Sequence, residues 1–406
     1  MKILLLTQWF QPEPMFKGLP FAKALKDKGH EVEVLTGFPN YPEGRLYSSY
    51  RLHLYQKEIM DGITVHRTFL YPSHNQSGFL RIVNYFSFGI SSFLIVPFIH
   101  KKYDIIYVYN LVTLGPTAFL LRLFSGAKVL YDVQDLWPES VHNSGLLSSE
   151  LLNKLLQYWC NWVYKRADHI VVLSPGFMEN IIIRGINEKN ITVIYNWNDS
   201  TQNSENLIGK NIVEQFNIPN KFNIVFAGTM GIYQGMDTIL DAAQILGHEY
   251  ENIQFVLIGG GTEVERLKER ALQMNLNNVK FLGRIPKDII NSVLKLADVF
   301  LVHLIRHPMF SITIPSKTQA YMSSGKPILM GVEGNAADLI QEANCGLIFE
   351  PENVKSLIDA ISRLYILEKS LFLEMGERGL RFYQKHLCFE KGVERFIKLF
   401  QNYFNS

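Results

Sequence analysis

The chain lacks the features of secreted, disulfide-bonded or zinc-binding proteins. Its 406 residues include only three cysteines, Cys160, Cys345 and Cys388, which lie far apart and form no Cys-x-x-Cys pair. An odd and scattered set does not suit a disulfide framework and fits a reducing cytosol. No His and Cys residues recur at the spacing of a zinc site. The formal net charge of +2 is too small to indicate a nucleic-acid-binding protein.

Two common phosphate-binding devices are also missing. There is no Gly-x-x-x-x-Gly-Lys-[Ser/Thr] motif, which excludes a P-loop. There is no Asp-x-Asp pair, which supplies the carboxylate oxygens that hold Mg²⁺ or Mn²⁺ against a nucleoside diphosphate. We therefore expect no metal and no other cofactor. Charge on a phosphate would be stabilised by backbone amides, hydroxyls and lysine.

Short β-branched runs alternate with helical patterns along the whole chain, which predicts an α/β protein with parallel sheets. The runs are continuously apolar, as in sheets covered on both faces. The first run is interpreted as a strand and not as a signal peptide, because no small-residue cleavage site follows it. The predicted strands span residues 3–7, 31–36, 63–66, 105–109, 128–133, 170–173, 192–195, 223–227, 254–258, 279–282, 299–304, 327–330 and 346–349.

The length and hydrophobic content favour two domains. A polar stretch without periodicity, residues 198–206, is the predicted linker. We expect one Rossmann-like domain at 1–200, a second at 201–385, and a C-terminal helix at 386–406 that packs back at the domain junction. Ligands of open α/β sheets bind beyond the carboxyl ends of the strands. The site is therefore predicted in a cleft where two such sheets face each other.

The strongest polar cluster precedes a short helix in the second domain. Ser311, Thr313 and Ser316 supply hydroxyls, and Pro315 suits a helix start. Unpaired N–H groups and the helix dipole make such a start an anion site. Lys317 adds a positive charge in the first turn, where a cation is unfavourable unless an anion compensates it. The alternative is an ordinary capped surface helix.

Glycine-rich turns follow three successive strands of the second domain. Two glycines let the backbone approach a ligand closely in the first turn, and together the turns predict a ledge for a flat base and a ribose. The turns contain the candidate donor-binding residues Gly228, Thr229, Gly231, Gln234, Gly259, Gly283 and Arg284.

The first domain has a candidate carboxylate after the strand at 128–133. Asp135 could accept a hydrogen bond from an attacking sugar hydroxyl, and Glu139 lies one turn further on. The alternative is a capping aspartate beside a packed tryptophan. Gly18 and Asn40 lie in two neighbouring strand–helix loops and complete the predicted acceptor side.

Residues 79–99 form an apolar segment of about the length that spans a bilayer. It contains Asn84 and Pro97 and is flanked by Arg81, Lys101 and Lys102. Three interpretations stay open, namely a buried helix of the first domain, a helix in the membrane interface, and a transmembrane span.

Several of these motifs together resemble a known family. The chain looks like the GT4 glycosyltransferases of GT-B fold, and most like the bacterial branch of L-fucosamine transferases of O-antigen and capsule synthesis. The resemblance runs in matching order from Lys2 to about Leu364. It is carried by Gly37-Phe38-Pro39-Asn40-Tyr41-Pro42, Asp135-Leu136-Trp137-Pro138-Glu139-Ser140, Tyr195-Asn196-Trp197, Gly228 to Gly235, and Ile314-Pro315-Ser316-Lys317.

The resemblance implies that the second domain binds a UDP-sugar, with N-acetyl-L-fucosamine as the expected sugar, and that the first binds a lipid-linked (undecaprenyl diphosphate) sugar. It implies transfer without a metal, with retention, in which the leaving phosphate helps to deprotonate the acceptor. A cytoplasmic location is expected, with peripheral contact at the inner face of the membrane and a place in a polysaccharide assembly complex.

The chain departs from the broader family in its charged groups. Ile312 and Ala320 occupy the positions of the usual Glu pair, and Thr229 and Gln234 occupy those of the usual Arg and Lys. The amino-sugar branch often lacks the same groups. As substitutes we assign Lys317 and Arg306 to the diphosphate and Glu333 to the ribose; Asp135 and Lys317 are the candidate catalytic residues.

Two other functions fit the same architecture. A UDP-sugar epimerase would need several His and carboxylate groups together, whereas the histidines here are scattered. A non-enzymatic assembly protein would explain the missing Glu and basic pair.

Overall fold

The computed structural model describes residues 1–73, 78–139, 150–198, 216, 218 and 221–404. These form two compact α/β units. The first unit contains Met1–Tyr195 and Gly392–Ser406, and the second contains Asn196–Lys391. Of the predicted linker, 198–206, only residue 198 lies within the described part of the chain. The predicted domain boundaries at 200 and 386 stay predictions.

The first unit has eight strands and five helices in its described part before residue 196. The strands are β1 (Lys2–Leu6), β2 (Glu31–Gly37), β3 (Tyr55–Met60), β4 (Ile63–Thr68), β5 (Ile105–Tyr109), β6 (Lys128–Val133), β7 (His169–Val172) and β8 (Ile191–Val193). The helices are α1 (Leu19–Asp27), α2 (Gly78–Ile99), α3 (Gly115–Ser125), α4 (Glu150–Arg166) and α5 (Pro175–Ile183).

The second unit repeats this alternation. Its strands are β9 (Phe222–Ala227), β10 (Ile253–Ile258), β11 (Val279–Gly283), β12 (Val299–His303), β13 (Ile328–Gly331) and β14 (Gly346–Ile348). Its helices are α6 (Asp237–Glu249), α7 (Val264–Gln273), α8 (Lys287–Leu294), α9 (Pro308–Ser311), α10 (Ser316–Ser323), α11 (Asn335–Ala343), α12 (Val354–Tyr365) and α13 (Lys369–His386); α14 (Phe389–Phe404) follows and joins the first unit from Gly392.

The two sheets confirm the predicted class. The first has the order β3-β4-β2-β1-β5-β6-β7-β8, and the second β11-β10-β9-β12-β13-β14. All described pairings are parallel except β3 with β4. The second order is that of a dinucleotide-binding Rossmann sheet, in which the chain reverses direction between the first and fourth strands. Here that switch point lies between β9 and β12.

The sequence prediction missed β3. This edge strand alternates between exposed and half-buried residues, so it lacks the apolar run by which the other strands were found. Asp61 and Gly62 connect it to β4 with φ angles of 49° and 74°. These angles suit a two-residue hairpin turn, which makes the pairing antiparallel.

Helix α2 combines a buried face with an exposed one. By length and apolar composition it is the one described helix that could cross a membrane, which is weak evidence for a span. Asn84 on its buried face donates to the Tyr71 carbonyl at 2.7 Å and bonds Gln8 next to β1. On the other face Leu94 and Phe98 are exposed.

The C-terminal helix α14 contributes to the core of the first unit. Phe396 contacts the rings of Phe21 on α1 and Tyr107 on β5, with centroid distances of 5.3 and 5.5 Å. Tyr403 bonds the ring of His169 on β7 at 2.8 Å. The final helix therefore completes a layer over the first sheet.

Candidate active site

The donor-side candidates gather at the switch point of the second sheet. There β9 ends at Ala227 and β12 ends at His303, and open α/β sheets bind ligands at such a point. The buried hydroxyl of Tyr321 on α10 accepts from the Ala227 N–H at 2.7 Å and donates to the Ala227 carbonyl at 3.0 Å. This pair of bonds fixes α10 against the end of β9.

Lys317 lies in the first turn of α10 and reaches this strand end. Its ammonium is 3.6 Å from the centre of the Phe226 ring, a cation–π contact. A Cβ atom on Gly228 would lie 2.8 Å from Nζ, so the ammonium and the strand end are in contact. Burial alone lowers the pKa of Lys317 to about 7. Among the described residues no carboxylate or other acceptor bonds this ammonium, so an anion here would relieve its cost.

The glycine turns pack directly on one another. A Cβ on Gly259 would lie 1.9 Å from the Gly228 carbonyl oxygen, and one on Gly261 would lie 2.1 Å from that of Met230. The Gly228 N–H donates to Ile258 and the Gly259 N–H donates to Gly283, at 2.9 and 2.8 Å. These amides therefore hold the ledge together and are not free for phosphate.

His303 supports the first of these turns, a role that the sequence did not indicate. Its ring nitrogen Nδ1 bonds the Gln234 carbonyl at 2.7 Å, and Nε2 accepts from the Glu352 N–H at 3.1 Å. A carbonyl can only accept and an N–H can only donate, so the ring is the neutral Nδ1–H tautomer. Burial lowers its pKa, which favours the same state. The Gln234 side chain accepts from the Gly231 N–H at 2.9 Å.

The assigned substitutes Arg306 and Glu333 pair with each other. Arg306 Nε lies 3.3 Å from the Glu333 carboxylate, and the same guanidinium also pairs with Glu350. The Arg306 N–H donates to Glu352 at 2.8 Å. All are exposed, so a ligand would have to compete with these pairs for either group. Lys317 is therefore better placed than Arg306 to meet a phosphate.

The remaining donor-side candidates divide into bonded and open groups. The hydroxyls of Ser311 and Thr313 donate to the Pro308 and Met309 carbonyls of α9, both at 2.7 Å. Ser316 and Thr229 are exposed, as is Arg284, whose side chain lies against Gly260. Among the described residues, Arg284 has no ion-pair partner.

In the first unit Asp135 lies at the carboxyl end of β6. Its carboxylate accepts from Asn110 Nδ2 at 2.8 Å, and Asn110 Oδ1 accepts from the Asp135 N–H at 3.1 Å. Asn110 adopts a left-handed conformation, with φ 65°, directly after β5. Asp135 is exposed to solvent, yet partial desolvation of its carboxylate raises its pKa, and the hydrogen bond from Asn110 opposes this shift. Asn110 thus orients the candidate catalytic carboxylate of Asp135, a role that the sequence did not indicate.

The neighbouring loops are held by a buried carboxylate. Glu13 accepts from the N–H groups of Asn40 and Tyr41 at 2.8 and 2.7 Å, and burial raises its pKa to about 7. Asn40 is buried. The Cβ direction of Gly18 is occupied by the Gln11 side chain, 2.3 Å away. Both predicted acceptor residues therefore lie within the packed loop structure.

Glu139 has a structural partner. Arg184 donates to both of its carboxylate oxygens at 2.7 and 2.6 Å, and also to the Trp137 carbonyl at 2.6 Å. This bidentate pair fixes the segment that follows Asp135. The structure thus brings Asp135 and Glu139 to one strand end, with Asp135 the more accessible to a ligand.

Two glycosyltransferase family models match the chain, one in each half. A model of "Glycosyl transferases group 1" matches residues 210–381, and a "Glycosyl transferase 4-like domain" matches residues 19–197. Escherichia coli (strain K12) WcaI, named for colanic acid biosynthesis glycosyl transfer, is 27% identical over 88% of this chain and 90% of its own. WbjE of Pseudomonas aeruginosa, named as a glycosyltransferase, is 30% identical over 62% of this chain and 63% of its own.

The fold has solved counterparts. Anabaena HepE in complex with UDP aligns with a TM-score of 0.66 at 17% identity, over 99% of this chain and 100% of HepE. A likeness at this identity concerns the fold. Together with the two family matches, which cover both halves, it shows that the chain belongs to the group 1, GT4-like glycosyltransferases and has the GT-B fold.

Proposed function

We propose that this glycosyltransferase moves a sugar from a UDP-sugar to a lipid-linked oligosaccharide, at the inner face of the cytoplasmic membrane, during synthesis of a cell-surface polysaccharide. The names of the relatives support the process, since WcaI is named for colanic acid biosynthesis. The HepE crystal structure was solved in complex with UDP, which supports the nucleotide. The amino-deoxy sugar, with N-acetyl-L-fucosamine as our choice, rests on the sequence resemblance.

The observation that carries the proposal is Lys317. Its ammonium packs against Phe226 at the switch point of the second sheet and has no acidic partner among the described residues. Desolvation lowers its pKa to about 7, which disfavours the charged form. A diphosphate placed beside Gly228 would supply the missing negative charge. Its bond to the sugar breaks with charge building on the leaving phosphate, and the ammonium would stabilise that charge.

Asp135 is the proposed partner of the acceptor hydroxyl. The hydrogen bond from Asn110 holds the carboxylate in place, and its open side can accept from a sugar hydroxyl. The leaving phosphate would take the hydroxyl proton as the new glycosidic bond forms, with retention at the anomeric carbon. In this scheme Asp135 orients the nucleophile.

The decisive assay measures nucleoside diphosphate released from UDP-sugars with and without a lipid-linked acceptor. Acceptor-dependent release supports transfer, a sugar that changes without acceptor indicates an epimerase, and no reaction indicates a non-catalytic protein. Lys317→Ala should lower turnover at least ~100-fold, and Asp135→Asn should lower turnover while leaving UDP affinity unchanged. Lys295→Ala, an exposed lysine of the same unit, is the control; near-normal turnover of Lys317→Ala would overturn the assignment.

A further inference from the structure

An apolar groove runs between α2 and α4 in the first unit. Its volume is about 430 Å³, within the usual range of small-molecule sites, about 300–1,000 Å³. None of the described residues that line it is charged. A shallower recess of about 230 Å³ shares Phe86 and Trp159 and continues it along α2. The walls include Ile82, Phe86, Leu152, Leu155, Leu156 and Trp159.

The walls of the groove expose apolar side chains to solvent. Leu155 is 58% exposed and Phe86 is 48% exposed. Helices α2, α3 and α4 carry twelve of the twenty-six exposed large hydrophobic residues found among the described residues. A concentration of this kind marks a binding surface in soluble proteins. Trp159 Nε1 donates to the Val112 carbonyl at 3.2 Å, so the indole ring is held in place at the base of the groove.

The inner end of the groove reaches the candidate acceptor side. Tyr85 and Trp137 line this end, with ring centroids 5.7 Å apart. Burial raises the pKa of Tyr85 to about 12, and the opposite charges of Arg81 and Asp135 act on it with opposite signs. The apolar groove therefore reaches Trp137, two residues after Asp135, and Tyr85, on which charges of both signs act.

We propose that this groove holds the isoprenoid chain of the lipid-linked acceptor next to its diphosphate, with the sugar directed toward Asp135. The inference rests on the proposed function, which names that class of acceptor. Continuity with the Asp135 end favours this occupant over a bilayer surface or a partner helix, because only a molecule with a chain and a charged head matches both ends. Arg81 would lie on the diphosphate side.

The test measures binding and needs no sugar transfer. Geranylgeranyl diphosphate and inorganic diphosphate are titrated into the full-length protein by calorimetry. We expect the isoprenoid to bind at least ~10-fold more tightly than diphosphate alone, because apolar area leaves water. Leu155→Gln and Phe86→Gln should each weaken that binding about tenfold. Leu151→Gln, one turn earlier on α4 and outside the groove lining, is the matched control and should bind normally.

Three results would overturn the inference. The first is equal affinity for geranylgeranyl diphosphate and diphosphate, and the second is equal affinity of the groove variants and the control for geranylgeranyl diphosphate. The third is weaker binding of the groove variants to vesicles with unchanged affinity for geranylgeranyl diphosphate, which would make the surface a bilayer contact. If geranylgeranyl diphosphate binds as expected but no nucleoside diphosphate is released with any acceptor, the groove stands and the proposed transfer fails. Two independent groove variants, both at exposed positions, guard against misfolding of either one.

Discussion

At the scale of a single residue, Lys317 carries a charge that opposes the stability of the fold, and we propose that it binds an anion. The ammonium of the half-buried Lys317 lies against the Phe226 ring without an acidic partner in the described part of the chain, and desolvation lowers its pKa. Removing a charge from water costs free energy unless it is paired. The folded protein therefore keeps a cation at a position where a neutral side chain would be more stable, which is typical of ligand-binding sites.

Lys317→Met should raise the free energy of unfolding by about 2–4 kcal/mol near pH 7, since each unit of pKa shift is worth about 1.4 kcal/mol. The folded pKa of about 7 lies below the ordinary value of 10.5. Between these values the unfolded chain binds more protons, so the stability of the wild type rises with pH. The gain from Lys317→Met should therefore shrink toward pH 10. Urea denaturation at several pH values measures it.

Lys295→Met is the control for this measurement, because Lys295 is exposed. Its effect should stay within about 0.5 kcal/mol at every pH. A Lys317→Met protein that unfolds at lower urea concentration than the wild type would show that the ammonium is stabilised within the fold, against our interpretation.

At the scale of elements, the donor side depends on turns that touch through their backbones. Gly259 and Gly228 meet so closely that a side chain on Gly259 has no space, and its φ of 133° is open to glycine almost alone. Gly283 differs, because no atom lies within 4 Å of its Cβ direction, although its φ is 69°. Glycine is therefore required at 259 by both space and backbone conformation, and at 283 by backbone conformation alone.

Gly259→Ala and Gly283→Ala form a matched pair. Gly259→Ala should displace the Gly228 turn and reduce UDP affinity by more than ~10-fold, together with a loss of stability. Gly283→Ala should cost only the left-handed backbone strain, about 1–2 kcal/mol, with UDP affinity close to that of the wild type. Calorimetric titration with UDP and thermal unfolding measure the two effects. Equal UDP affinities for the two variants would argue against a ledge at Gly228.

At the scale of the whole molecule, the net charge of +2 provides little general attraction to an anionic membrane. Of the basic residues that flank α2, Lys101 pairs with Glu33, which leaves Lys102 the more available. The exposed apolar residues of α2 are then the principal candidates for membrane contact. Phe98, which is 82% exposed, is the most accessible of them.

Phe98→Gln and Leu94→Gln together should weaken binding to vesicles that contain anionic lipid by at least ~100-fold, measured by co-sedimentation, because each side chain contributes on the order of 1.5–3 kcal/mol when buried. Leu272→Gln, a change of an exposed leucine in the second unit, is the control. Lys102→Ala should weaken association mainly at low salt. A wild-type protein that does not sediment with vesicles would rule out peripheral docking.

Much of the fold was predictable because each strand carries its own signal. The buried strands of both sheets are continuous apolar runs, and their predicted positions agree with the structure to within a few residues. The missed strand β3 also had a signal, since Asp61-Gly62 between alternating segments is a strong hairpin sequence. It has no continuous apolar run, however, because its residues alternate between exposed and half-buried.

The site was less predictable because its contacts join distant segments. Arg306 and Glu333 were assigned to different parts of a nucleotide, whereas the structure pairs them. Asn110 and His303 hold candidate residues through bonds to positions 25 and 69 residues away, and neither bond has a local sequence signature.

The sequence alone determined the α/β class, the strand ends and the family resemblance, because apolar periodicity and turn residues act over a few neighbours. The tertiary structure decided which charges are available. Lys17 and Asp132, 115 residues apart, form a fully buried pair at 2.5 Å, while Lys317 lies against the ring of Phe226 and has no acidic partner among the described residues. Whether a lysine is paired within the fold or can pair with a ligand depends on which side chains lie beside it, and only folding brings such distant residues together.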